Sequence, residues 1–146
     1  MSIDYRTGDL FTTEAPALAH GVNTQGVMGG IAAQFAARYG GLERDYDYHC
    51  FRGGFLPGDI YVWEGTVPLE PTIYNLATQD APGPNARIEW VAFALANMAT
   101  DLRDRRITRV AMPRIGCGIG GLTWEQVEPF VATLAEHVDV EVWTLS

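Results

Sequence analysis

Four glycines, at positions 116, 118, 120 and 121, lie between a strand-like run and a helix start. The run is Arg109-Val110-Ala111-Met112; the helix start is Thr123-Trp124-Glu125-Gln126, whose Thr and Gln have the spacing of a capping box. Glycine permits positive φ and lets a ligand reach bare backbone. A glycine-rich turn from strand to helix aims free N–H groups and the positive end of a helix dipole at one point. That is the chemistry of an anion site, usually a phosphate. The plainer reading is a turn whose glycines serve geometry alone. A second loop argues against it: Asn23-Thr24-Gln25-Gly26-Val27-Met28-Gly29-Gly30 follows another apolar run. Asn23 and Gln25 carry amides that both donate and accept. Two such loops on one sheet edge would form a cleft able to hold a diphosphate.

Other residues could do chemistry and have plainer readings beside them. Gln79 and Asp80 follow a strand-like run over residues 72–76, and strand exits in α/β sheets are where ligand groups gather. The same Asp80-Ala81-Pro82-Gly83-Pro84 is also a surface turn. Asp9, in a turn, either satisfies local N–H groups or accepts from a ligand amine, the first being favoured. His20 sits in an apolar strand and reads as a buried, hydrogen-bonded histidine rather than a base. Cys117 lies in the glycine loop, where N–H donors could activate a thiol. All ten basic residues are arginine. With no lysine, neither a Schiff base nor a phosphate-loop lysine is possible.

The elements that must position these residues alternate. Residues 3–6, 17–22, 59–64, 72–76, 109–112 and 140–144 read as strands. Residues 31–39, 41–49, 85–105 and 124–137 read as helices. Pro129 should kink the last helix or mark a fresh start. The sharp alternation of Val140-Glu141-Val142-Trp143-Thr144 is that of an edge strand. The pattern predicts an α/β layered sheet with helices on both faces.

The 146 residues fit one domain over 1–146, with 47% hydrophobic and 19% charged residues. Such a chain needs no metal or disulfide to fold. Cys50 and Cys117 have neither zinc nor disulfide spacing and suit a reduced, cytoplasmic protein. No apolar run nears 18 residues, so no membrane partner is expected. Residues 1–6 lack the basic and apolar regions of a signal peptide. The net charge of −8 argues against a general nucleic-acid surface, which would need many phosphate contacts. It leaves room for recognising one modified nucleotide.

Four motifs in order resemble a macrodomain. They are Gly8-Asp9-Leu10; the stretch from His20 through Asn23, Gly29 and Gly30 to Ala32; Pro57-Gly58-Asp59-Ile60; and Pro113-Arg114-Ile115-Gly116-Cys117-Gly118-Ile119-Gly120-Gly121-Leu122-Thr123-Trp124. The nearest branch is the terminal ADP-ribose glycohydrolase type, which includes bacterial antitoxins that strip ADP-ribose from DNA. The resemblance implies a three-layer α/β/α fold with a mixed central sheet, ADP-ribose as ligand, and neither cofactor nor metal. Asp9 would receive the adenine amino group, with Leu10 nearby. Asn23 would hold the distal ribose. Val27, Met28, Gly29, Gly30 and Ile31 would wrap that ribose and the diphosphate. Gly116, Cys117, Gly118, Ile119, Gly120 and Gly121 would present N–H groups from the other side. Cys117 becomes a packing residue.

The sequence departs from the branch at its reactive positions. The branch has a lysine, which attacks the anomeric carbon, where this chain has Gln79. Its human-type members carry an aspartate where this chain has Gly120. The related family with a helix-start aspartate is not matched, since Ala32 and Ala33 follow Gly30-Ile31. A lysine-independent hydrolase is expected, with Gln79 orienting water or polarising the scissile bond and Asn23 fixing the ribose. Its partners would be mono-ADP-ribosylated protein, on acidic side chains, or DNA, on a base. The alternatives are a non-catalytic reader of ADP-ribose and a phosphatase for ADP-ribose-1″-phosphate.

Overall fold

The computed structural model describes residues 2–65 and 67–145; positions 1, 66 and 146 of the expected 1–146 domain lie outside the described residues. The strands are β1 (Ile3–Thr7), β2 (Ala17–Val22), β3 (Ile60–Glu64), β4 (Thr72–Ala77), β5 (Arg109–Met112) and β6 (Asp139–Thr144). Their order across a single sheet is β1-β6-β5-β2-β4-β3. Only the β3–β4 pair is antiparallel, so the sheet is mixed.

The two faces are covered by different helices because successive strand residues point to opposite sides. Tyr74 and Leu76 of β4 face α3 (Ile88–Arg105) and α4 (Trp124–Leu134), packing with Val91, Leu95, Val127 and Val131. Ile73 of β4 and Leu18 of β2 face α1 (Ile31–Arg38) and α2 (Leu42–Phe51), packing with Phe35 and Leu42. The result is the expected α/β/α layering.

Five local expectations change. β6 is not an edge strand but lies between β1 and β5. Its alternation is real, yet Glu141 is buried, not solvated. It accepts from Arg109 Nε at 2.5 Å, Thr13 Oγ1 at 2.6 Å and Trp143 Nε1 at 2.9 Å. Burial, the largest single influence, pushes this carboxyl up, but the donors outweigh it and hold it below the ordinary carboxylate range. α3 starts at Ile88 rather than Asn85 because its N-cap Arg87 is extended, at φ −121° and ψ 142°; the N–H groups of Asn85, Ala86 and Arg87 bond to Gly83 O, Gly120 O and Thr78 O. α2 runs on to Phe51. α4 is continuous through Pro129 and ends at Leu134. A short 3-10 turn over Leu10–Thr12, capped by Asp9, replaces the expected plain turn.

Candidate active site

β2 and β5 are adjacent and parallel, yet their exits part company. β2 leads through the 23–30 loop to α1 on one face. β5 leads through the 113–123 loop to α4 on the other. A crevice opens where neighbouring strands send their chains to opposite sides. Here it has a volume of about 570 Å³. The β4 exit, with Thr78 and Gln79, closes one end, and Thr144 and Leu145 at the end of β6 close the other.

The first loop is shaped by Asn23. Its Oδ1 accepts from the Gln25 N–H at 2.9 Å, an Asx turn two residues on, and its Nδ2 donates to Val27 O at 2.7 Å. Tyr46 of α2, fully buried, donates its hydroxyl to Asn23 O at 2.7 Å and reaches Oδ1 at 3.0 Å. Asn23 is therefore fixed by loop and helix together, with one amide hydrogen left over. The loop ends at Gly30, whose φ of 57° and ψ of −131° suit glycine alone. A Cβ there would also lie 2.7 Å from Ile119 Cδ1. The two loops thus meet across the cleft.

The second loop divides its amides. Cys117 N–H bonds to Arg114 O at 3.1 Å, Gly121 N–H to Gly118 O at 3.3 Å and Leu122 N–H to Gly116 O at 3.0 Å. Those of Gly118, Ile119 and Gly120 make no hydrogen bond among the described residues, and all three residues line the cleft. On the facing wall the same holds for Gly29, Gly30 and Ile31. Two loops with unpartnered N–H groups that meet across one cleft are what an anion site requires. Arg114 is the one formally charged residue lining it among the described residues. Its guanidinium lies over Trp124, 5.5 Å from the ring centroid. The capping box expected at Thr123 and Gln126 is present and starts α4.

At the β4 exit, Gln79 donates both amide hydrogens to backbone, to Ala81 O at 2.8 Å and Gly83 O at 3.0 Å. Only its Oε1 remains free, so the side chain can accept a hydrogen bond and cannot donate one. Of the two expected roles, orienting water survives and polarising the scissile bond does not. Thr78 is 1% exposed, lines the cleft, and has a hydroxyl with no partner among the described residues. Asp80 is exposed outside the lining; its carbonyl accepts from Thr24 Oγ1 at 3.2 Å, joining the β4 exit to the first loop.

His20 is fully buried, stacked on Phe35 with ring centroids 4.0 Å apart, and its Nε2 is 2.6 Å from Asn75 Oδ1. Its Nδ1 has no partner among the described residues. Burial lowers the ring to about 4, against the Asn75 contact, so it is neutral and structural. Cys117 bonds through its thiol to Ile115 O at 3.4 Å, and burial, only partly offset by Arg114, pushes the thiol up. A protonated, half-buried thiol packs; it does not attack.

Of the residues to which the resemblance gives a ligand-binding or catalytic role, Asn23, Val27, Gly29, Gly30, Ile31, Gln79 and residues 116–120 line one cleft. Four lie outside the lining. Leu10 and Met28 turn their side chains into the core beside Phe35. Gly121 backs onto Pro84, where a Cβ would be 3.1 Å from Pro84 Cβ. Asp9 is exposed and accepts from Phe11 N–H at 3.0 Å, next to Gly8, whose amide bonds to Thr144 O at 2.8 Å. It therefore stands at the β6 mouth rather than within. Sequence reasoning passed over Thr78, Pro82 and Gly83, and left Arg114 without a role. The signal for Thr78 was its place at the same strand exit as Gln79.

The chain matches the Macro domain family over residues 19–131. It is 35% identical over 142 residues to a DNA ADP-ribosyl glycohydrolase of Mycobacterium tuberculosis, covering 95% of this chain but spanning only 40% of that relative's length. It is 31% identical over 160 residues to an ADP-ribose 1″-phosphate phosphatase of Lodderomyces elongisporus, covering 99% of each. Among solved structures, the macrodomain of Mycobacterium tuberculosis DarG matches with a TM-score of 0.92 and 32% identity over 99% of both chains.

Proposed function

Since the chain belongs to the macrodomain family, we propose that its cleft binds ADP-ribose and releases it by hydrolysis from mono-ADP-ribosylated DNA bases or acidic side chains, without a lysine. One observation carries the reading: Gly29, Gly30 and Ile31 on one loop and Gly118, Ile119 and Gly120 on the other line the same cleft with N–H groups that have no partner among the described residues. A diphosphate placed between them would take charge-assisted hydrogen bonds from both walls. The adenosine then lies toward Thr144 and Asp9, and the distal ribose toward Asn23, Thr78 and Gln79. Arg114 adds the cationic side chain that a diphosphate favours.

The chemistry asked of the protein is modest. Cleavage at an anomeric carbon passes through an oxocarbenium-like state, which positioning and electrostatics can stabilise. Asn23 holds the ribose with its remaining amide hydrogen. Gln79 Oε1 accepts from a water and fixes it for attack. The domain over 1–146 carries the whole cleft in this reading, and its two unpaired cysteines suit the cytoplasm. Among the described residues, no helix is long and apolar enough to cross a membrane.

Two observations favour other readings of the same cleft. Gln79 lacks a free donor, as a reader without turnover would. The yeast relative's name is that of a phosphatase. One experiment separates the three. The protein is incubated with a glutamate-modified protein, a thymidine-modified oligonucleotide and ADP-ribose-1″-phosphate, and released ADP-ribose and phosphate are quantified beside calorimetric ADP-ribose binding. Release from either macromolecule supports the hydrolase and names the bond. Binding without release identifies the reader, and phosphate release the phosphatase.

A further inference from the structure

The donors at the reactive end leave one position to fill. Gln79 has both amide hydrogens on the Ala81 and Gly83 carbonyls, and Asn23 has one on Val27. The leaving group of a hydrolysis needs a donor as its bond breaks. Asn23's second amide hydrogen goes to the ribose in the reading above, and Thr78 supplies a further unengaged donor. Its hydroxyl makes no hydrogen bond among the described residues although the residue is 1% exposed and lines the cleft. The residue is buried but its hydroxyl is not sealed off, so the oxygen is open to whatever occupies the cleft.

Its position is built. Thr78 N–H bonds to Val22 O at 3.1 Å and Leu76 O at 2.8 Å, and Thr78 O accepts from Arg87 N–H at 3.3 Å. The backbone is thereby pinned between β2, β4 and the start of α3. The hydroxyl lies against Gly21, where a Cβ would be 2.8 Å from Thr78 Oγ1, so only glycine at 21 lets the two strands place it there.

We propose that Thr78 is a catalytic residue whose hydroxyl donates a hydrogen bond to the leaving atom of an ADP-ribosyl substrate. This rests on the hydrolase reading above and names a residue of that site. Water oxygen bonds to the anomeric carbon while the bond from that carbon to the ester oxygen, or to the base nitrogen, breaks. The electron pair leaves with that atom. Thr78 keeps its proton and stabilises the charge that forms. The proton lost by water passes to solvent, or to the leaving nitrogen. Free ADP-ribose carries only a neutral anomeric hydroxyl where the substrate has its leaving atom, so product binding depends on this contact far less than the transition state does.

The test compares Thr78→Val, which keeps the shape and removes the hydroxyl, with Thr78→Ser, which keeps the hydroxyl. Turnover is measured on the substrate that the unaltered protein cleaves, with ADP-ribose Kd by calorimetry. Thr78→Val should lower kcat by about tenfold or more and leave the ADP-ribose Kd within about twofold. Thr78→Ser should recover most of the loss. If Thr78→Val folds poorly, Thr78→Ala against Thr78→Ser isolates the hydroxyl, since both lack the methyl. Equal turnover in Thr78→Val overturns the proposal, as does a Ser variant no better than Ala. A parallel loss of kcat and ADP-ribose affinity also overturns it, by making the hydroxyl a ribose contact. Absence of turnover in the unaltered protein overturns the hydrolase reading itself, and this role with it.

Discussion

Gln79 and Gly120 abut: a Cβ on Gly120 would lie 3.2 Å from Gln79 Oε1, 2.7 Å from Gly116 O and 2.8 Å from Ala86 Cβ. The two positions at which the resemblance leads one to expect a lysine and an aspartate are thus neighbours in space. Even a methyl at 120 is blocked by backbone. Gly120→Ala should destabilise the protein by about 1–3 kcal/mol, as overpacking does, and weaken ADP-ribose binding by displacing the second loop. Urea unfolding and calorimetry read the two effects. An unchanged urea midpoint would mean that the loop yields freely.

Gln79→Ala should lower turnover by roughly 10- to 100-fold, the cost of a misplaced reactant, while ADP-ribose affinity stays within about twofold. The lost anchors at Ala81 and Gly83 should also loosen residues 81–83. Single-turnover kinetics beside calorimetry check this. Equal turnover removes Gln79 from the mechanism.

His20 gives the fold a pH dependence of predictable sign. Burial holds the native imidazole at about 4, below its ordinary 6.5. Between these values the unfolded chain binds a proton that the native state does not. Stability is therefore full above about pH 6.5 and declines as pH falls toward 4, by about 3 kcal/mol in all. His20→Gln, whose amide can still donate to Asn75, should show a shallower decline in urea titrations at pH 7 and pH 5. Identical slopes would mean that His20 titrates normally in the native state.

Arg114→Gln should weaken ADP-ribose binding by about 1 kcal/mol, or roughly fivefold, and reduce its salt dependence. Arg114 is the one formally charged residue lining the cleft among the described residues, and the attraction of a guanidinium for a diphosphate is screened by salt. Calorimetry at low and high ionic strength is the measurement. A salt dependence equal to that of the unaltered protein would place Arg114 away from the phosphates.

The sequence by itself determined the layers and both glycine loops. Periodicity reports which face of each element is apolar, and glycine runs at strand exits report backbone that must be approached closely. So β2, β4, β5 and α1 fall where the residues put them, and Asn23, Gly30 and residues 116–120 come together as expected. The capping box at Thr123 was legible because it is a contact between near neighbours.

Only the tertiary structure decided the rest, because it depends on partners distant in sequence. Alternation in β6 cannot tell a solvated Glu141 from one buried against Arg109 and Thr13. A helix period cannot show that the amides of residues 85–87 bond elsewhere. Above all, residue type gives the number of donors a side chain has, not which of them are engaged. Gln79 reads as donor and acceptor; the fold takes its donors, leaves its acceptor, and sets the unpartnered hydroxyl of Thr78 beside it in the same cleft.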